Sequence, residues 1–261
     1  MTRTSVDHDR VAWAWASIRE HADGEHTTVS VRHACAACAQ ALDAQGAGVS
    51  LARGKGMREP VCAVGPGVDE LEELQFTLGE GPAADAADAR ALVLARDLSS
   101  IDSGRRWPMF APAALHRGVR SVLSAPLQAG AIQVGVLTVY RAVPDVASED
   151  AIADLLVYAD AAMLLVIGVS DGMAAERPDL TGRGFDERRA EVHQAAGMIS
   201  VQLGVGVEEA LVRLRAHAYA RERRLAEVAR DVVERRLRFS PDMNGNPADG
   251  RNPGSGREED R

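Results

Sequence analysis

Lysine is almost missing from this chain: Lys55 is the only one among 30 basic residues, so nearly every positive charge is an arginine guanidinium. Aromatic residues are scarce as well, at 4% of 261 residues, and any core therefore has to be assembled from Ala, Val and Leu. Three cysteines, Cys35, Cys38 and Cys62, are an odd number with no framework spacing, which argues against structural disulfides and fits a reducing compartment. A long hydrophobic run is lacking too. The longest, Ala159 to Val169, is interrupted by Asp160 and falls short of the roughly 20 apolar residues that cross a bilayer, so it reads as a buried helix and no membrane is expected. Asp7, Asp9 and Arg10 interrupt any apolar core that a secretory signal would need, and the expected location is cytoplasmic. No nucleophile elbow, phosphate loop or paired-carboxylate pattern is found, which argues against an enzyme and leaves no catalytic candidate.

What is present suits two cores. The hydrophobic content of 46% is that of a globular chain, and 261 residues with a break in the middle exceed what one small core usually organises. Charge is divided unevenly. Residues 1–183 hold 16 basic and 24 acidic groups, residues 184–239 hold 11 basic and 9 acidic, and the tail from Ser240 holds 3 and 5. Only the middle segment, net positive, is suited to face a phosphate backbone.

Local pattern predicts the elements. Val11, Trp13, Trp15 and Ile18 mark a helix ending near Gly24, and a second helix is expected from about Val29 to Gln45. Val49–Leu51 and Pro60–Val64 flank a turn at Gly54 and Gly56 and read as hairpin strands. A short helix from Val68 to Phe76 is closed by a Gly79-Glu-Gly-Pro82 turn. Further strands are predicted at Ala91–Ala95, Ser121–Leu127 and Gln133–Arg141, the last two joined through Ala129-Gly130. Ser148 is the expected N-cap of a long helix from Glu149 to about Ser170, with Glu149 and Asp150 at its positive dipole end. The class is α+β: an antiparallel sheet with flanking helices, expected on one side of it.

Gly172, Pro178, Gly182 and Gly184 interrupt the chain and place the domain boundary there. Beyond it the pattern is all helical. Val192, Ala195, Ile199 and Leu203 form one apolar face, Val207, Ala210, Leu211, Leu214 and Ala218 a second, and Leu225, Val228, Ala229, Val232 and Leu237 a third, as in a three-helix bundle. The expected division is an N-terminal helix at 1–28, an α+β domain at 29–171, a linker at 172–184, an all-α domain at 185–239 and a disordered tail at 240–261.

Arg213, Arg215, Arg221, Arg223, Arg224 and Arg230 fall on or between the second and third of these helices, off the apolar positions. Guanidinium groups grip phosphate through paired hydrogen bonds and stack on splayed bases, so the cluster suits the loop of a folded RNA. A solvated face paired with Glu222, Glu227 and Asp231 is the plainer alternative. His193, Gln194, His217 and Tyr219 can donate, accept or stack. Gly197 in mid-helix costs about 1 kcal/mol relative to Ala, which points to close approach of another helix or of an RNA backbone; Met198 beside it reads as core filler. Glu191-Val-His-Gln-Ala-Ala-Gly-Met198, Leu203-Gly-Val-Gly-Val-Glu-Glu-Ala-Leu211, Leu214-Arg-Ala-His-Ala218 and Leu225-Ala-Glu-Val-Ala-Arg-Asp-Val-Val233 together resemble the ANTAR domain along its whole length. The resemblance implies binding to paired small stem-loops in nascent RNA, which keeps a terminator hairpin from forming. Ala196 stands where many relatives carry a basic residue, so one phosphate contact of the family is absent.

Leu78-Gly-Glu-Gly-Pro82, Arg106-Trp-Pro-Met-Phe110, Arg117-Gly-Val-Arg-Ser-Val-Leu-Ser-Ala-Pro-Leu127 and Val134-Gly-Val-Leu-Thr-Val139 resemble the GAF domains that accompany ANTAR in actinobacterial proteins, over about Val29 to Gly168. The resemblance implies a sensor that holds a small ligand between its sheet and covering loops. Phe76, Trp107, Phe110 and Val122 are the candidate walls, although loop aromatics also serve simply to close a core. Relatives often place a cysteine where Ala83 stands, so thiol sensing is not expected there. Cys35-Ala-Ala-Cys38 with His33 lacks the paired knuckles of a zinc site and reads as buried small side chains; no metal or cofactor is expected. The leading expectation is a signal-responsive RNA-binding regulator acting as a homodimer. Leu225-Ala-Glu-Val-Ala-Arg230 also looks like a helix-turn-helix recognition helix of a DNA-binding regulator, against which Glu227 and Asp231 on its outer face count. The third alternative is a bundle that only dimerises.

Overall fold

The computed structural model describes residues 3–53, 57–144, 148–170, 183–221 and 223–240. The expected linker lies outside them except for 183 and 184, which start a helix, and the expected tail lies outside them except for Ser240. Strands β1 (Gly46–Arg53), β2 (Met57–Val64), β3 (Val93–Ala95), β4 (Ser121–Ala129) and β5 (Ile132–Arg141) form one antiparallel sheet in the order β2-β1-β5-β4-β3. Strand β2 is therefore an edge.

Alternation along the strands sorts two cores. Ala47, Val49, Leu123, Ala125, Leu127, Leu137 and Val139 face α1 (Arg3–Gly24), α2 (Val31–Ala41) and α7 (Glu149–Ser170), packing with Ile18, Cys35, Cys38, Leu155 and Tyr158. On the opposite face, Val122, Val136 and Tyr140 pack with α3 (Val68–Leu78), α4 (Pro82–Ala89) and α6 (Phe110–His116). The expectation that helices would cover one side of the sheet is corrected by this second layer. It was hidden because α4, α6 and the six-residue α5 (Ile101–Arg106) are short and rich in Ala, Ser and Gly, with too few large apolar residues to show a helical period.

Close approach of α3 to the sheet depends on what β1 lacks. A Cβ on Gly46 would come within 2.6 Å of the Val68 side chain and one on Gly48 within 2.6 Å of Glu72. The turn after α3 likewise needs glycine, at Gly79 with φ +68° and Gly81 with φ +131°, and Pro82 then starts α4 at its first position. Between those glycines, Glu80 turns back so that its Oε1 accepts from the amides of Met109 and Phe110, both at 2.7 Å.

Ser148 caps α7, its Oγ accepting from Ala151 N at 3.1 Å, and Arg10 of α1 clamps the first turns through Asp150 at 2.8 Å and Asp154. The apolar character of α7 extends beyond the stretch read from sequence: Glu149–Gly168 has a mean hydropathy of 1.9 and the length to cross a bilayer. Its buried side, including Leu155, Tyr158, Ala162 and Val166, is part of the first of these cores, whereas Leu156 and Leu164 stay exposed.

The remaining helices are α8 (Arg183–Leu203), α9 (Val207–Ala220) and α10 (Leu225–Val233). Gly204, at φ +66°, ends α8 and the chain bends by 105° into α9. Val192, Ala195, Ile199, Ala210, Leu211, Leu214, Ala218, Leu225, Val228, Ala229 and Val232 close a third core. Val207 is half exposed rather than inward, because it sits at the first residue of α9. Phe239, beyond the last periodic residue, completes this core by packing on His217 with ring centroids 5.0 Å apart.

Candidate nucleic-acid interface

Helical spacing divides the polar residues of the bundle into sets. With Leu211, Leu214 and Ala218 inward, Arg215 and Tyr219, four apart, share one flank of α9, and Arg213 pairs one turn back with Glu209 at 2.6 Å. Arg221 donates to Nδ1 of His217 at 3.0 Å. Arg223 holds Asp231 at 2.8 Å, and Arg230 grips Glu191 of α8 with two hydrogen bonds of 3.0 and 3.2 Å. Gln194 is exposed, and a Cβ on Gly197 would meet nothing within 4 Å, so packing gives no reason for a glycine there. Ala196 and His217 are buried in the bundle. Burial, and after it the charges of Arg221 and Arg223, push the His217 imidazole below its usual pKa and favour the neutral ring.

Four of the candidate contacts face the other domain. Arg224, at the N-cap of α10, pairs with Glu70 of α3; His193 Nε2 lies 2.9 Å from Glu59 Oε1 on edge strand β2; and the Tyr219 hydroxyl donates to Met109 Sδ at 3.4 Å. Arg215 lies over the ring of Phe76 at 4.0 Å from its centroid. Glu73 adds a contact of 3.4 Å from the Ala226 amide. Tyr219, Arg223 and Arg224 also line a groove of about 710 Å³ whose other wall carries Glu70, Glu73, His116 and Arg117. Sequence reasoning missed these acidic partners; the available signal was the density of carboxylates in α3, Asp69, Glu70, Glu72 and Glu73.

Beneath Arg215 lies a small cavity lined by Ser50, Arg58, Pro60, Glu72, Gln75 and Phe76, with about 30 Å³ of free space. A chain of hydrogen bonds forms one wall: Ala83 N donates to Gln75 Oε1 at 2.9 Å, Gln75 Nε2 to the Tyr140 hydroxyl at 2.8 Å, and that hydroxyl to Glu72 Oε1 at 2.6 Å. Burial raises the Glu72 carboxyl to about 7, against the lowering effect of the Tyr140 bond. Burial, and secondarily the nearby Arg58 charge, lower the Arg215 guanidinium to about 10. The Ser50 hydroxyl and Arg215 Nε are buried without a hydrogen-bond partner. Of the four expected pocket walls, Phe76 lines this cavity, whereas Trp107, Phe110 and Val122 are fully buried in the core between sheet and helices.

The three cysteines are buried and free, and the Cys35 thiol is pushed well up by its contact with Cys62 and by burial. Among the described residues no group of three His, Cys, Asp or Glu is placed to hold a metal ion.

The chain belongs to the GAF domain family, whose model matches residues 28–166. The model of the ANTAR domain matches residues 186–233. GAF domains sense signals and ANTAR domains serve RNA-binding antitermination regulation, so both parts are regulatory in kind. Among solved structures, the GAF domain from an Acinetobacter phosphoenolpyruvate-protein phosphotransferase is 15% identical, covers 67% of this chain and 100% of its own, and gives a TM-score of 0.48. The corresponding domain from Coxiella burnetii is 12% identical, covers 63% and 99%, and scores 0.47. A type II free methionine-R-sulfoxide reductase from Thermoplasma acidophilum is 18% identical over 57% of this chain and 94% of its own, with a TM-score of 0.41. No curated protein matches the chain.

Proposed function

We propose that the chain is a signal-responsive regulator that binds stem-loops in nascent RNA and prevents transcription termination. The observation that carries this reading is the surface of an ANTAR-matched bundle on which Arg213, Arg221, Arg223, Arg224 and Arg230 keep their guanidinium groups outside the apolar core. Each is held by carboxylates or an imidazole in contacts that phosphate oxygens can replace, and Gly197 leaves backbone open for close approach. A small molecule entering the cavity at Ser50, Glu72 and Phe76 supplies the signal in this reading, and α7 carries it onward. Exposed Trp13 of α1 with Leu156 and Leu164 of α7 are the candidate contacts of a homodimer.

The experiment is a gel shift of the full chain against a short RNA hairpin and a DNA duplex of equal length. The hairpin is expected to bind more tightly, with affinity falling as salt rises because guanidinium–phosphate pairing releases counterions. Preference for the duplex contradicts the proposal and favours groove reading by α10.

A further inference from the structure

We propose that the sensor domain masks the RNA-binding bundle and that Arg215 is the pin: its guanidinium is seated over Phe76 at the mouth of the sensor cavity, so ligand entry and unmasking are one event. The inference rests on the RNA-binding reading of α8–α10 and adds how that surface is controlled. His193, Arg215, Tyr219 and Arg224 are all among the candidate RNA contacts, and all four are engaged by β2, α3 or the Met109 loop of the sensor. Glu70 presents its Oε1 to Arg224 where a phosphate would present an oxygen of its own, so RNA and α3 compete for one guanidinium. RNA cannot take the occupied set without separating the domains.

Two features make this seat reversible and sensitive to the cavity. The Arg224–Glu70 pair is partly exposed, and contacts of that kind hold weakly in water. Arg215 is the deeper anchor, yet it sits beside the like charge of Arg58 with its Nε buried and unpartnered, so its position is held by the Phe76 ring and little else polar. With Arg215 seated, the free space of about 30 Å³ admits only water-sized groups, so a larger molecule reaching the unpartnered Ser50 hydroxyl has to displace the guanidinium first. Displacement frees the one side chain that belongs to both sites.

The test compares the full chain with its Glu70→Gln/Phe76→Ala variant, which adds no positive charge, for RNA hairpin affinity and for phenylglyoxal labelling of Arg215 read by mass spectrometry against exposed Arg221. The variant is expected to bind the hairpin about tenfold more tightly and to label at Arg215 as readily as at Arg221, while the unaltered chain protects Arg215. Glu70→Gln alone, which leaves every core residue in place, moves both readouts in the same direction. The inference is overturned if Arg215 labels like Arg221 in the unaltered chain, or if its labelling rises in the variant with hairpin affinity unchanged. Failure of every form to bind any hairpin is a different result: it removes the RNA-binding reading itself, and the mask with it.

Discussion

Replacing Glu72 by Gln is expected to stabilise the folded chain at about pH 8 by roughly 3 kcal/mol. Burial raises this carboxyl from 4.5 to about 7, so the folded state keeps a proton that the unfolded chain has already lost. Wild-type stability is therefore fully present below pH 4.5, declines as pH rises toward about 7, and stays low above it. The amide remains neutral and still accepts the Tyr140 hydroxyl at the position of Oε1, so that decline should flatten in the variant. Urea unfolding followed by circular dichroism across this range measures the two slopes. Equal slopes would show that Glu72 ionises as freely as a surface carboxylate, and that the wall of the cavity is wet.

Reversing the charge of Arg213 and Arg221 together is expected to weaken hairpin binding on the order of a hundredfold and to lower the slope of log affinity against log salt by about two. Neither side chain touches the sensor through a described hydrogen bond: Arg213 pairs with Glu209 and Arg221 with His217, both within α9 or at its end. Losing such pairs costs a helix only about 0.5 kcal/mol, so the bundle should remain folded. His217 stays near neutral because burial disfavours its charged form, which leaves the arginines as the source of attraction. A salt slope identical to that of the unaltered chain would place the RNA on another face of the bundle. Arg215 is a poorer probe of the same question, since changing it alters the seat on Phe76 as well.

The elements that were legible in the sequence are those with a strong period or a punctuating residue. α7 was marked by Ser148 and its acidic first turn, the β4–β5 hairpin by Ala129-Gly130, and the three bundle helices by their apolar spacing. The second helical layer was illegible because Pro82–Ala89 is built from Pro, Ala and Asp, and Ile101–Arg106 offers one large apolar residue. The candidate arginines were legible as a group, since their side chains lie off the apolar face. Their partners were not. Glu70 is 154 residues from Arg224, and an acidic stretch such as Val68-Asp-Glu-Leu-Glu-Glu73 reads equally well as a solvated helix face. Only the folded arrangement distinguishes Glu72, buried beside Tyr140, from Glu70, turned to the bundle. His217 illustrates the reverse error of assumption, because a histidine one turn before Arg221 looks available and is instead closed over by Phe239.

The most direct test of an RNA-binding regulator is ultraviolet crosslinking of the protein in living cells, followed by sequencing of the attached RNA and mapping of the crosslinked peptides. The account predicts transcripts with paired stem-loops just upstream of terminators, joined to peptides from α8, α9 and α10. Recovery of DNA instead, or of RNA joined only to the sensor sheet, would contradict it.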